Sequence, residues 1–186
     1  FKQPPRGAEP IWWLVDPIDG TNNFARRMPI FTITLAAVYE GEPVVGVIFE
    51  PATDSMFTAV KAGQAQLNSR RITVSEDAIS QFTSVGLDSH IGEATSDLPV
   101  WAREIMLKTR FRSLGSTALQ FAYVAKGSLI AAIHSCPKLW DIAAGTLIVE
   151  AAGGIVSTWK GQKVFPADLD HYQGQQLQII AANKKV

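Results

Sequence analysis

The chain has 186 residues, long enough for one sizeable core, so a single domain over 1–186 is the default reading. Hydrophobic residues make up 47% and charged residues 18%, which excludes a disordered polymer, and no apolar run approaches the roughly 18 residues of a membrane span. Seventeen basic and seventeen acidic side chains cancel, so no global field draws the chain to nucleic acid or to a membrane surface, and any anion must be held by a local site.

Phe1 to Gly7 reads as a loop entered in mid-chain, without an initiator methionine or a signal-peptide pattern, so an N-terminal part is expected to lie outside this sequence. Trp12-Trp13-Leu14-Val15 reads as a buried strand that ends where Pro17 withdraws a backbone donor. Phe31 to Tyr39, Val44 to Glu50 and Met56 to Val60 are β-rich runs joined by turn-rich links, which suggests an antiparallel meander. The second half changes character: Pro99 to Lys108 and Ser116 to Lys126 have helical composition, with Gly127 as a C-terminal stop. Leu129 to Ile133 reads as a strand, and Asp141 to Ala152 as a helix apolar nearly all round. Gly153-Gly154 ends that helix before a strand at Ile155-Val156-Ser157. Helices are expected to pack against sheets on both sides, in an α/β or α+β arrangement without a clear domain boundary.

The chemistry concentrates in Asp16-Pro17-Ile18-Asp19-Gly20-Thr21. Pro17 fixes φ and forces a bend, so both carboxylates can face one point with the Ile18 carbonyl between them. Those three oxygens are the ligand type that a hard cation such as Mg²⁺ prefers. Gly20 permits close backbone approach, and Thr21, Asn22 and Asn23 can open a helical turn whose N–H groups would cradle a phosphate. The same residues also suit an ordinary β-turn closed by an Asx hydrogen bond. Trp140-Asp141-Ile142-Ala143-Ala144-Gly145 places a further acid at the start of an apolar helix, as an N-cap, as a metal ligand, or as both.

Trp13 to Phe24 resembles the first signature of the inositol monophosphatase family, and Trp140 to Gly145 continuing to Gly154 resembles its second, in family order. Phe111 to Ser116, between them, resembles a further family segment. The resemblance implies a layered α-β-α-β-α fold of the α+β class, two or three Mg²⁺ ions, a small phosphorylated metabolite as substrate, and a homodimer. It further implies that Asp16 bridges two metals, that Asp16 and the Ile18 carbonyl hold the first, and that Asp16, Asp19 and Asp141 hold the second. Gly20 and Thr21 amides would bind phosphate, Thr21 would orient the attacking water, and Ser116, His134 and Lys138 would stand near the substrate.

The family also uses a glutamate upstream of its first signature; Glu9 is too close to Asp16 to be it, so that residue and the family's N-terminal helices are expected outside this sequence. His134 stands where inositol-specific relatives carry a glutamate, which leaves fructose 1,6-bisphosphate, histidinol phosphate and nucleotide phosphates open beside inositol phosphate, with Lys138 a candidate for meeting a second phosphate. A non-catalytic regulatory or binding relative is the alternative of another class. Cys136, the only cysteine, excludes an internal disulfide framework and favours a reducing compartment, hence the cytoplasm. It has no arginine six residues on and reads as a small packed hydrophobe, not a nucleophile. His90 and His171 read as surface or turn residues.

Overall fold

The computed structural model describes residues 11–88 and 100–186. Six strands form one sheet in the order β1-β2-β3-β4-β5-β6: β1 Ile11–Asp19, β2 Thr32–Tyr39, β3 Glu42–Glu50, β4 Ser55–Val60, β5 Gln66–Leu67 and β6 Arg70–Arg71. All neighbours are antiparallel, as the meander reading expects; the links from β2 onward are too short for a crossover, and α1 with its turn returns β1 to β2. The second sheet has the order β10-β11-β9-β7-β8, from β7 Ser84–Leu87, β8 Arg110–Arg112, β9 Ala131–His134, β10 Ile155–Thr158 and β11 Ile179–Ala182. In it β7 runs parallel to both β8 and β9.

The helices are α1 Thr21–Ala25, α2 Val100–Lys108, α3 Thr117–Ala125 and α4 Leu139–Ala151. The α4 helix is apolar on every side because it is enclosed: it packs on β1 to β4 of one sheet and on β10 and β11 of the other. Small residues let it lie that close. A Cβ on Gly46 of β3 would come within 2.9 Å of the Ala144 carbonyl oxygen, and one on Gly145 within 2.7 Å of the Phe121 ring. Phe57, Ile48, Phe121, Ile142 and Ile148 are fully buried in this central layer. Each contributes about 1.5–3 kcal/mol of burial. Beyond the second sheet, Trp101 and Ile105 of α2 pack against Val85, Leu87, Ile130 and Ile133. The described layers are therefore sheet, helix pair, sheet and helix. The expected helix start at Pro99, and Glu9 and His90, lie outside the described residues.

Two expectations change. The β1 strand does not end before Pro17, and it is an edge strand, where a residue lacking an N–H is tolerated. Its apolar run is also not uniformly buried. Leu14 faces the core, whereas Ile11, Trp13 and Val15 are exposed together with Ile33, Met56 and Val60 on the outer sheet face. An antiparallel sheet with one wet face ordinarily alternates apolar and polar residues; this one is apolar on both faces. Among the described residues no helix is long and apolar enough to cross a membrane.

Candidate metal centre

Side chains three apart on a regular strand point to opposite faces, so Asp16 and Asp19 would diverge if β1 were ideal. A bulge prevents this. Asp16 pairs with Thr34 and Asp19 with Thr32, so three steps along β1 match two along β2, and both acids turn to the inner face beside buried threonines. The Asx turn forms as well: the Ile18 amide donates to Asp16 Oδ1 at 2.9 Å. Gly20 then takes φ +91°, and a Cβ there would meet the Ile30 carbonyl oxygen at 3.0 Å. Glycine is required by conformation and by space alike. Asn23, buried in α1, donates to the Ile30 and Leu114 carbonyls at 2.7 Å each and ties the turn to the segment before α3.

Asp19 is seated on the N-terminus of α3. Its carboxylate accepts from the Ser116 hydroxyl at 2.5 Å, the Ala118 amide at 2.8 Å and the Thr117 amide at 3.3 Å. Asp141 is not the N-cap of α4. That place belongs to Lys138, and Asp141 stands at the third helical position, where its carboxylate accepts the Lys138 amide at 2.8 Å. Asp16, Asp19 and Asp141 thus each offer an oxygen within 4.8 Å of the other two.

Convergence of three acids is costly without a counter-charge. Burial pushes the Asp19 carboxyl up to about 6, against the hydrogen bonds from Ser116 and Ala118. Burial, with Asp19 and Asp16 adding to it, pushes Asp141 up to about 7. An all-oxygen donor set held in this strained charge state fits a hard divalent cation. Asp141 lines a cleft of about 250 Å³ together with Gly20, Thr21, Thr117, Gln120, His134 and Asp88 among others.

A sequence profile described as the inositol monophosphatase family matches residues 3–186. The chain belongs to the inositol monophosphatase family. It is 36% identical over 184 residues to the Nus factor SuhB of Xylella fastidiosa, covering 97% of this chain and 66% of that protein. To the inositol-1-monophosphatase of Mesorhizobium japonicum it is 38% identical over 152 residues, covering 80% of this chain and 57% of that one. Among solved structures, the Thermotoga maritima IMPase superposes with a TM-score of 0.80 at 33% identity, over 97% of this chain and 66% of that one. The Bartonella henselae extragenic suppressor protein suhB gives a TM-score of 0.81 at 31% identity, over 94% of this chain and 66% of that one. The chain spans less than two thirds of the length of the curated relatives it matches.

Within this family member, the residues expected at the site fall into two groups. Asp16, Asp19 and Asp141 converge, Gly20, Thr21 and Asp141 line the cleft, and Thr21 Oγ1 donates to the Ile18 carbonyl at 2.9 Å. The substrate candidates are more divided. Ser116 lines the cleft, but its hydroxyl donates to Asp19 and accepts the Leu119 amide, so it positions the acid and caps α3. Lys138 is not among the cleft-lining residues; its ammonium lies 5.0 Å from the centroid of the Trp140 ring.

His134 does line the cleft, fully buried, with Nδ1 3.4 Å from Thr117 Oγ1. Burial pushes its pKa down to about 4, so it is neutral at physiological pH. Cys136 also lines the cleft, half-buried, and burial raises its pKa, which leaves it a thiol. His171 is exposed and paired with Asp168 at 2.8 Å, as its surface reading expects. Asp88, Thr117 and Gln120 were not anticipated. The signal available for Asp88 is an acid directly after a short apolar run, Val85-Gly86-Leu87, which is now β7.

Proposed function

We propose that this chain is the catalytic body of a Mg²⁺-dependent phosphomonoesterase acting on a small phosphorylated metabolite. The observation that carries the reading is the convergence of Asp16, Asp19 and Asp141, the last of which lines a cleft together with Thr21. The cleft volume of about 250 Å³ suits a small ester. Asp16, Asp19, Asp141 and the Ile18 carbonyl would hold Mg²⁺, which when bound supplies Lewis-acid charge to an attacking water and to the departing oxygen.

The chain's own groups do the rest. Gly20 and Thr21 amides are assigned to the phosphate oxygens, and the Gly20 turn brings them to the cleft. Thr21 Oγ1 gives its hydrogen to the Ile18 carbonyl, so its lone pairs remain to accept a hydrogen from the incoming water and aim it at phosphorus. Ser116 and the first amides of α3 hold Asp19 in place through the reaction. Because the chain spans only part of its relatives' length, the activity and a homodimeric state are assigned to the whole protein.

A second reading, a partner-binding module, draws support from relatives named Nus factor. Phosphate release with Mg²⁺ from inositol phosphate, fructose 1,6-bisphosphate, histidinol phosphate and a nucleotide 3′-phosphate separates the two. Turnover of at least one ester, abolished in Asp19→Asn, is the expected result; undiminished turnover in that variant would remove the metal role.

A further inference from the structure

Residues 159–178, which join β10 to β11, form no helix or strand. Connections of that length without regular structure are uncommon in compact domains unless they serve a site. Within this one, the Ala167 amide donates to the Gly41 carbonyl at 2.9 Å, a tie to the β2–β3 turn. Farther on, the connection lies on the start of α4. There the Leu177 amide donates to the Pro137 carbonyl at 2.8 Å, and Gly174 sits against the Trp140 ring. Between these ties Tyr172 reaches the helix itself. Its hydroxyl oxygen accepts the Leu139 amide at 3.0 Å and its hydrogen goes to the Gln175 carbonyl at 2.9 Å, while its ring meets Trp140 edge-on with centroids 6.1 Å apart.

The first amides of a helix have no partner inside it. In α4 the Leu139 amide, two residues before Asp141, is one of these, and a phenol from outside the helix satisfies it. The Lys138 amide meets the Asp141 carboxylate instead. A further tie comes from the first sheet: Thr34, which pairs with Asp16 across β1 and β2, donates its hydroxyl to the Trp140 carbonyl at 3.1 Å. The turn that carries Asp141 is therefore held by two elements distant in sequence, the strand beside Asp16 and the β10–β11 connection.

We infer that Tyr172 is a positioning residue, holding the first turn of α4 so that the Asp141 carboxylate stays in register with Asp16 and Asp19 for a divalent cation. The inference rests on the metal reading of those three acids. A phenol suits the task because one oxygen both accepts and donates. Phenylalanine would keep the ring against Trp140 and leave the Leu139 amide and the Gln175 carbonyl without that partner. Outer groups that fix the orientation of a metal ligand register in the affinity for the metal. The competing account is that Tyr172 only fastens its own connection to the fold and adds to overall stability.

The test measures Mg²⁺ binding to the full chain by calorimetry at about pH 8, above the value of about 7 at which Asp141 titrates. Tyr172→Phe should weaken binding by about three- to tenfold, the scale of one hydrogen bond. Tyr123→Phe is the control: it also removes one phenol hydroxyl, which donates to Glu50 at 3.1 Å toward the C-terminal end of α3. It should lower resistance to urea about as much as Tyr172→Phe does and leave Mg²⁺ affinity unchanged. In metal-free wild type, the Leu139 amide should exchange slowly with solvent deuterium.

Unchanged Mg²⁺ affinity in Tyr172→Phe would overturn the inference and leave the metal centre standing. Equal weakening in both variants would overturn it too, since the loss would then follow stability and not the position of Asp141. Fast exchange of the Leu139 amide in wild type would do the same without any variant having to fold. Absence of Mg²⁺ binding to wild type would defeat the metal reading and this inference with it.

Discussion

Asp141→Asn separates a functional acid from a structural one by the sign of two effects. In the metal-free protein the Asp141 carboxyl titrates near 7, against the ordinary carboxylate value of 3.8, chiefly because burial penalises its charge and Asp19 and Asp16 repel it. At about 1.4 kcal/mol per factor of ten in protonation, the ionised group costs the metal-free fold at most about 4 kcal/mol. Partial exposure of Asp141 reduces this to about 1–3 kcal/mol. An asparagine keeps the carbonyl oxygen that accepts the Lys138 amide and directs an NH₂ toward its acidic neighbours.

The sign follows from the raised value. Stability from the neutral form is complete below about pH 4 and is lost as pH rises through about 7, so metal-free wild type should melt progressively lower between those limits. Urea unfolding in chelator at pH 8 should show Asp141→Asn more stable than wild type by about 1–3 kcal/mol, with a flatter pH profile. Adding Mg²⁺ should reverse the order, since only wild type gains the stabilisation that a bound ligand confers on the folded state. A variant less stable than wild type in chelator, or equally stabilised by Mg²⁺, would refute the claim that these acids are held together at a cost which a cation offsets.

Ser116→Ala should destabilise by about 2–3 kcal/mol in chemical denaturation, because one hydroxyl both caps α3 and donates to buried Asp19. Its Mg²⁺ affinity, read by calorimetry at neutral pH, should also fall, since losing that donor favours the protonated acid. Asn23→Ala strips donors from the Ile30 and Leu114 carbonyls and should cost about 2–4 kcal/mol in the same unfolding assay. Thr21→Val keeps shape but removes the hydroxyl; kcat of the active whole protein should fall by about a hundredfold or more with little change in melting temperature. A small kcat change would assign water orientation elsewhere.

Much of the centre was legible because its signals are local. Asp16 to Thr21 carries its own turn chemistry, and the Asx bond and helical turn form from neighbours in sequence. The apolar continuity of Ile142 to Val149 announces a helix enclosed on every side. The four-residue strands β9 and β10 were legible because a helix stop or start flanks each, whereas β7 and β11, of the same length, have no such punctuation beside them and escaped. Asp88, which follows β7, was missed along with it.

Residue types and spacing by themselves determined the acidic turn, a third acid near a helix start and the antiparallel run of the first half, since these follow from backbone preferences within a few residues. Only the tertiary structure decided what the acids do to one another. The bulge against β2 brings Asp16 and Asp19 to one face, α4 carries Asp141 to them across more than a hundred residues, and α3 supplies the donors that hold Asp19. The same level assigned Ser116 to an acid, set Lys138 over Trp140, and turned Trp13 and Val15 outward while Leu14 went in. The physical reason is that burial, charge repulsion and hydrogen-bond partnership are properties of neighbours in space, and a strand's alternation becomes a distinction between inside and outside only once something packs against one face.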